Sequence, residues 1–293
     1  MKYMRDNIND EYGIIEYQDK LLEIMVYLDQ FCNENNIDYC LMAGSALGAE
    51  RHQGFIPWDD DIDIYMMEKD YLRFRELFKK NGDSDNYYLQ EWGATDWRSQ
   101  HMITMAKLRK NGSVIEEKTY EGWKMHQGIF IDIFVLHNCP SSRIKQIVQY
   151  MWTEAVVLKG LEIRGYKPKN IKDQIMLFGS KILPTKWILR QGLCHTYKYQ
   201  NKNTELVQGF IDTRGFSRAV FPKDALFPAK YSDFEKVRLK VPAKNHEYLT
   251  IQFGKDYMTP PPVEERPINK HTHGWIDSGD IVYTEFSDEV RLI

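Results

Sequence analysis

The stretch Trp58-Asp59-Asp60-Asp61-Ile62-Asp63-Ile64-Tyr65-Met66 alternates acidic and apolar residues, the period of a half-buried β-strand. Four carboxylates, Asp59, Asp60, Asp61 and Asp63, fall within five residues, and such a cluster repels itself unless cations neutralise it. Residues two apart on a strand share a face, so Asp61 and Asp63 are placed to grip one ion while Ile62 and Ile64 face the core. Hard oxygen ligands with no imidazole among them suit Mg²⁺ or Mn²⁺ and not zinc. A calcium loop of the EF-hand kind needs Gly at its sixth position and Glu at its twelfth; counted from Asp59, those are Ile64 and Asp70. The plain alternative is a solvated acidic turn, and the surrounding sequence decides between the two.

Upstream, apolar residues recur at Ile14, Tyr17, Leu21, Met25, Leu28 and Phe31, which predicts an amphipathic core helix over 14–31. Asn33-Glu34-Asn35-Asn36 stops it. Residues 39–43 then read as a short buried strand that delivers Gly44-Ser45 as a turn, followed by a short helix at 46–51. Gly54-Phe55-Ile56-Pro57 forms an irregular link into the acidic strand. Downstream, a helix is predicted over 68–80 and a strand over 87–91. Segments 102–108 and 114–117 flank Lys110-Asn111-Gly112-Ser113, whose Asn-Gly pair predicts a hairpin. Residues 129–135 read as a buried strand with one carboxylate, Asp132, in its middle; a buried charge needs a reason to be there.

The composition changes after Pro140. Residues 141–163 and 171–199 are helical, interrupted at Pro168 and Pro184, and a further helix is expected at 246–253 before Pro260-Pro261-Pro262. This places a boundary near 140, with a core over 1–140 and, over 141–293, a helical subdomain plus a C-terminal segment packing back on the core. Lys145, Lys172, Lys181, Lys186 and Arg190 lie among the apolar residues of 141–199. A buried face with a solvated basic one is the first reading of that region; peripheral contact with a membrane is the second.

The 293 residues suit one large domain or two modest ones, at roughly 100–200 residues per domain. Lys and Arg number 39 against 42 Asp and Glu, a balance that argues against a wrapped nucleic-acid binder. Hydrophobic residues at 43% and aromatic ones at 13% exclude disorder as the main state. The four cysteines, Cys32, Cys40, Cys139 and Cys194, have neither C-x-x-C nor zinc spacing, which fits a reducing compartment. The opening residues carry no apolar signal region, and no uncharged apolar stretch reaches the ~20 residues that span a bilayer. A cytoplasmic protein, peripheral at the inner membrane face if it meets a membrane, is therefore expected.

Gly44-Ser45-Ala46-Leu47-Gly48-Ala49, Arg51-His52, and Gly54 through Ile64 together resemble the signature of the LicD family of phosphorylcholine transferases, within the nucleotidyltransferase superfamily and related to fukutin and fukutin-related protein. The resemblance covers most of the chain outside 140–205. It implies an α+β fold: a nucleotidyltransferase-like mixed sheet flanked by helices, with an added helical C-terminal region. In that superfamily a Gly-Ser turn, a D-x-D strand and a third Asp on a later strand build a metal and nucleotide site; Gly44-Ser45, Asp61 with Asp63, and Asp132 match these in order. Lys107-Leu108-Arg109 resembles the family's basic strand, and residues 253–262 its C-terminal signature. Two positions depart from the pattern: Glu50 stands where relatives mostly carry an uncharged residue, and His137 where many carry Asp.

The resemblance implies a Mg²⁺-dependent (or Mn²⁺-dependent) enzyme that moves phosphocholine, or a similar phospho-alcohol, from its CDP ester to a hydroxyl of a glycan or lipid-linked glycan, releasing CMP. Asp61, Asp63 and Asp132 are then the catalytic metal ligands. Gly44 and Ser45 present donors to the pyrophosphate, Lys107 and Arg109 neutralise the leaving CMP, and Asp132 also orients or deprotonates the acceptor. The alternatives are nucleotidyl transfer from an NTP to a small molecule, and a metal- or nucleotide-binding module without turnover. Gly44 to Gly48 is neither G-x-G-x-x-G nor a P-loop. His271 and His273 sit in a polar tail with no third ligand nearby and are not assigned to metal.

Overall fold

The computed structural model describes residues 4–6, 8–91, 105–115, 126–163, 165, 167, 171–209, 215–266 and 275–277. Its centre is a curled mixed sheet with helices packed against it. The first helix, α1 (Ile15–Glu34), presents the face foreseen from its periodicity: Tyr17, Leu21, Met25, Leu28 and Phe31 are all buried. Burying each such side chain contributes roughly 1.5–3 kcal/mol. Tyr27 on the same helix stacks on Tyr87 with ring centroids 4.1 Å apart, and Phe31 meets Phe74 and Phe78 edge-on.

The sheet runs β1 (Cys40–Leu41), β2 (Asp63–Met67), β6 (Phe130–Cys139), β4 (Ala106–Lys110) and β3 (Tyr87–Gln90) in spatial order. Helices α2 (Ala43–His52) and α3 (Glu68–Asn81) lie on either side of β2 in sequence. β2 and β6 are parallel, whereas β4 is antiparallel to both β6 and β3. The long strand β6 changes partner along its length: residues 130–133 pair with β4, and residues 136–139 pair with β7 (Leu206–Gly209), which in turn pairs with β8 (Val220–Pro222). Alternation along β6 buries Ile131, Ile133 and Val135 on one side and leaves Asp132 and Phe134 half-buried on the other.

Between 140 and 205 the chain forms α4 (Arg143–Ile163), α5 (Ile171–Ile182) and α6 (Thr185–Thr196). After β8 come α7 (Lys223–Leu226), the hairpin β9 (Lys230–Phe234) and β10 (Val237–Val241), and α8 (Asn245–Phe253). Residues beyond 140 thus add two strands to the central sheet.

Three local expectations differ from the structure. The Gly44-Ser45 pair is not a turn before a helix; it lies in the first turn of α2, which begins at Ala43. The acidic stretch is strand only from Asp63, and residues 59–62 are loop. The expected hairpin around Asn111-Gly112 does turn there, with Gly112 at φ 70°, but its second arm β5 (Ser113–Ile115) pairs with β11 (Trp275–Asp277). The turn is tied down instead by Asn111, whose side-chain amide donates to the carbonyls of Ser84 and Asp85. Residues 102–104, 116–117, His271 and His273 lie outside the described residues.

Candidate active site

Strand register brings three residues distant in sequence into one row. Asp63 on β2 is opposite Asp132 on β6, which is opposite Lys107 on β4, and Gln90 on β3 extends the row. Directly opposed residues in a sheet share a face, so two carboxylates and an ammonium converge. Lys107 Nζ lies 2.8 Å from Asp132 Oδ1 and 3.4 Å from the centroid of the Phe130 ring.

The loop preceding β2 brings the other carboxylates to this row. Oxygens of Asp59, Asp60 and Asp61 lie within 4.8 Å of one another. Burial, and then the charges of Asp61, Asp132 and Asp59, push the Asp63 carboxyl well above the ordinary carboxylate range, with Lys107 opposing. Asp61 and Asp132 are therefore each within electrostatic reach of Asp63, although Asp61 sits on loop and not on the strand that the D-x-D reading expected. An all-oxygen donor set whose members raise each other's proton affinity fits a hard divalent cation, Mg²⁺ or Mn²⁺.

The N-terminus of α2 faces the same carboxylates. A Cβ placed on Gly44 would come within 2.5 Å of Asp59 Oδ2, so glycine is what lets that carboxylate approach the helix. Ser45 Oγ accepts the backbone N–H of Asp63 at 2.9 Å, which leaves the hydroxyl proton available as a donor. Backbone N–H groups in the first turn of a helix have no intrahelical partner, and the positive end of the helix dipole favours anions there. The sharp entry into α2 is made by Ala43 at φ 42°, whose N–H donates to the Tyr248 hydroxyl of α8 at 2.8 Å.

Arg109 is placed differently from Lys107. Its guanidinium is fully buried; Nε donates to Gln90 Oε1 at 2.8 Å, Nη1 donates to the Gly128 carbonyl at 2.7 Å, and the group lies 4.6 Å from the Phe130 centroid. The structure therefore brings Lys107 to the carboxylates and sets Arg109 into the body of the sheet.

Several supports were not found by reading motifs. Gln18 on α1, wholly buried, donates from Nε2 to the carbonyls of Ile56 and Asp59 and accepts from Arg5 Nη1 on Oε1. Glu235, in the β9–β10 turn, accepts the Phe55 N–H at 3.0 Å and pairs with Arg5 Nε at 3.1 Å. Together they pin the loop that carries the aspartates at Phe55, Ile56 and Asp59. On the far side of α2, Arg51 Nη1 donates to the Tyr257 carbonyl at 2.7 Å, and Arg266 lies 4.3 Å from the Trp58 ring. Burial, then Arg51 and Arg266, hold the His52 imidazole at about 3. No local pattern marks these contacts, because all but the neighbouring pair Arg51 and His52 join residues well separated in the chain. The two departing positions also have partners: Glu50 Oε2 accepts from Asn245 Nδ2 at 2.9 Å, and His137 Nδ1 is 3.1 Å from Glu68 Oε2.

Comparison with known proteins matches residues 36–244 to the family described as LicD/FKTN/FKRP, nucleotidyltransferase domain. That span holds Gly44, Ser45, Asp61, Asp63, Lys107, Arg109 and Asp132. The chain is 30% identical over 258 residues to the lipopolysaccharide cholinephosphotransferase LicD of Haemophilus influenzae, covering 86% of this chain and 93% of that protein. A shorter stretch of 65 residues is 42% identical to an uncharacterised protein of Rickettsia typhi, covering 21% of each.

Proposed function

The chain belongs to the LicD family of phosphotransferases, and from that premise and the geometry above we propose that it transfers phosphocholine, or a similar phospho-alcohol, from its CDP ester to a hydroxyl of a cell-surface glycan or glycolipid precursor. CMP is the leaving group. The observation that carries the reading is the row Asp63, Asp132 and Lys107 facing the Gly44-Ser45 end of α2, an arrangement in which cation-binding and anion-binding groups meet at one place.

Asp61, Asp63 and Asp132 would hold Mg²⁺ or Mn²⁺, which when bound supplies charge stabilisation to the donor pyrophosphate. The protein's own groups do the rest. The first-turn N–H groups of α2 and the Ser45 hydroxyl donate to phosphate oxygens. An ammonium carries three donors, so Lys107, while held by Asp132 at 2.8 Å, has capacity for an oxygen of the departing CMP. Asp132 accepts a hydrogen bond from the attacking hydroxyl and aims it at phosphorus. As the new oxygen–phosphorus bond forms, the bond to the CMP oxygen breaks and the acceptor proton passes to carboxylate or solvent. Catalysis is then positioning and electrostatics. The reaction runs in the cytoplasm, at the inner membrane face where a lipid-linked acceptor is presented.

The test supplies the chain with CDP-choline, Mg²⁺ and a lipopolysaccharide acceptor. CMP release together with phosphocholine on the acceptor is the expected result. Pyrophosphate release from an NTP, with no CMP from any CDP ester, overturns it in favour of nucleotidyl transfer. A thermal-shift screen over CDP-choline, CDP-ribitol, CDP-glycerol and NTPs identifies the donor, because the bound ligand raises the melting temperature by mass action.

A further inference from the structure

The helices between the sixth and seventh sheet strands carry apolar side chains on their outside. On α5, Ile171, Ile175, Phe178 and Ile182 recur at helical spacing and are each 65% exposed or more. The stripe continues through Leu183 to Trp187 at the start of α6, and Trp187 meets Trp152 of α4 with ring centroids 5.6 Å apart, beside the exposed Met151. On α4, Ile144, Ile147, Val148 and Met151 form a second exposed stripe at the same kind of spacing. Scattered surface hydrophobics need no explanation, but contiguous stripes of large ones mark a docking surface.

Charge says what docks. Residues 141–199 contain eleven Lys and Arg against three Asp and Glu, in a chain whose totals are 39 and 42. Lys145, Lys181, Lys186, Arg190 and Lys198 are exposed, whereas Glu154 is buried and Glu162 is engaged by Lys159 at 2.7 Å. A groove of about 220 Å³ between α4 and α6 is lined by Lys145 and Lys198 together with Ile144, Val148 and Tyr199. A second copy of the chain would oppose this positive face with another positive face, which disfavours a symmetric dimer. Apolar stripes with Trp and Phe, bordered by Lys and Arg, are the make-up of a helix that lies in the interface of an anionic bilayer. No helix among the described residues is long and apolar enough to cross a membrane.

We propose that α4, α5 and the start of α6 form a lipid-docking surface, with Ile171, Ile175, Phe178, Ile182 and Trp187 entering the acyl boundary and Lys145, Lys181, Lys186 and Arg190 meeting anionic headgroups. The surface deepens the proposed position at a membrane but does not depend on the chemistry of the carboxylate site.

Vesicle flotation of the full chain, without donor or acceptor, tests the surface apart from transfer. Vesicles of phosphatidylcholine alone are compared with a phosphatidylcholine–phosphatidylglycerol mixture at low and high salt. Binding to the anionic mixture is expected to be about tenfold tighter or more, and to weaken with salt. Ile175→Glu with Phe178→Glu, and separately Lys181→Glu with Lys186→Glu, should each lose most of that binding while keeping the wild-type circular dichroism. Brominated lipid should quench wild-type tryptophan fluorescence, and Trp187→Phe should remove much of the quenching, a readout that needs no charge-altering variant to fold. The surface is refuted if wild type fails to float with the anionic mixture at low salt, or if the stripe variant floats like wild type. It is equally refuted if wild type sediments as a dimer that Ile175→Glu with Phe178→Glu dissociates, since a second copy then covers the stripe.

Discussion

The carboxylate of Asp59 occupies the space that a side chain at position 44 would need: a Cβ there would lie 2.5 Å from Asp59 Oδ2. Alanine is otherwise preferred to glycine in a helix by about 0.5–1 kcal/mol. Gly44→Ala is therefore expected to change the melting temperature little while displacing Asp59 and lowering transfer by about 100-fold or more, the order seen when reacting groups shift by an ångström. Kinetics on a variant whose unfolding curve matches wild type would decide it; unaltered kcat and KM would mean the acidic loop tolerates the shift.

The metal-free protein should be weakened by its own carboxylates. Asp63 binds a proton more readily folded than unfolded, because burial and then Asp61, Asp132 and Asp59 disfavour its charge. A raised carboxyl stabilises the fold while protonated and loses that contribution as pH rises above the ordinary carboxylate range. Metal-free wild type should therefore lose stability over that rise, and Asp61→Asn with Asp63→Asn should flatten the loss, be at least as stable near neutral pH, and show neither transfer nor a Mg²⁺-dependent gain in melting temperature. Denaturation at a series of pH values with chelator present measures this. A double variant clearly less stable than wild type would make the aspartates structural.

Lys107 and Arg109, two residues apart on β4, should separate under mutation. Lys107→Met keeps the stem but removes the ammonium beside Asp132, so its effect should fall on donor KM and on kcat. Arg109→Met abandons buried partners, Gln90 and the Gly128 carbonyl, at a cost of about 1–3 kcal/mol for each buried group left without its bond. Urea denaturation beside steady-state kinetics distinguishes them; equal loss of stability in both would contradict the placement.

Gln18 is expected to act on the site from a distance. Gln18→Leu preserves volume but removes the donors to the Ile56 and Asp59 carbonyls, costing about 1–3 kcal/mol. Mg²⁺ affinity, measured by calorimetry with a CDP ester present, should weaken as the loop loosens, and Gln18→Glu should not restore it, since a carboxylate cannot donate. Unchanged affinity would confine Gln18 to stability.

Acid should find the buried imidazoles of His52 and His126. Burial, then Arg51 and Arg266, hold His52 at about 3, and burial, then Arg109, holds His126 at about 3. A lowered imidazole contributes stability that is complete above its ordinary value of 6.5 and is lost as pH falls toward 3. His52→Gln and His126→Gln should each reduce the slope of stability against pH across that window. A slope the same in both variants as in wild type would place acid sensitivity elsewhere.

Local periodicity was enough to show the buried face of α1, because the helical repeat acts on residues within a turn or two of each other, and Ile14, Tyr17, Leu21, Met25, Leu28 and Phe31 are all buried. The long motif around the D-x-D spacing likewise announced a family from adjacent residues alone. The sequence could not say that helix α2 starts before Gly44, since that depends on Tyr248, two hundred residues away, accepting the Ala43 N–H. Nor could it separate Lys107 from Arg109: both share one face of β4, and only pairing with β6 sets Lys107 against Asp132 while Arg109 is set against Phe130. The Asn-Gly turn formed where its residues required, but which strand received β5 was decided by pairing with β11, far along the chain. Short-range sterics choose turns and helix faces; the register between strands distant in sequence chooses which charges meet, and that register exists only once the sheet is assembled.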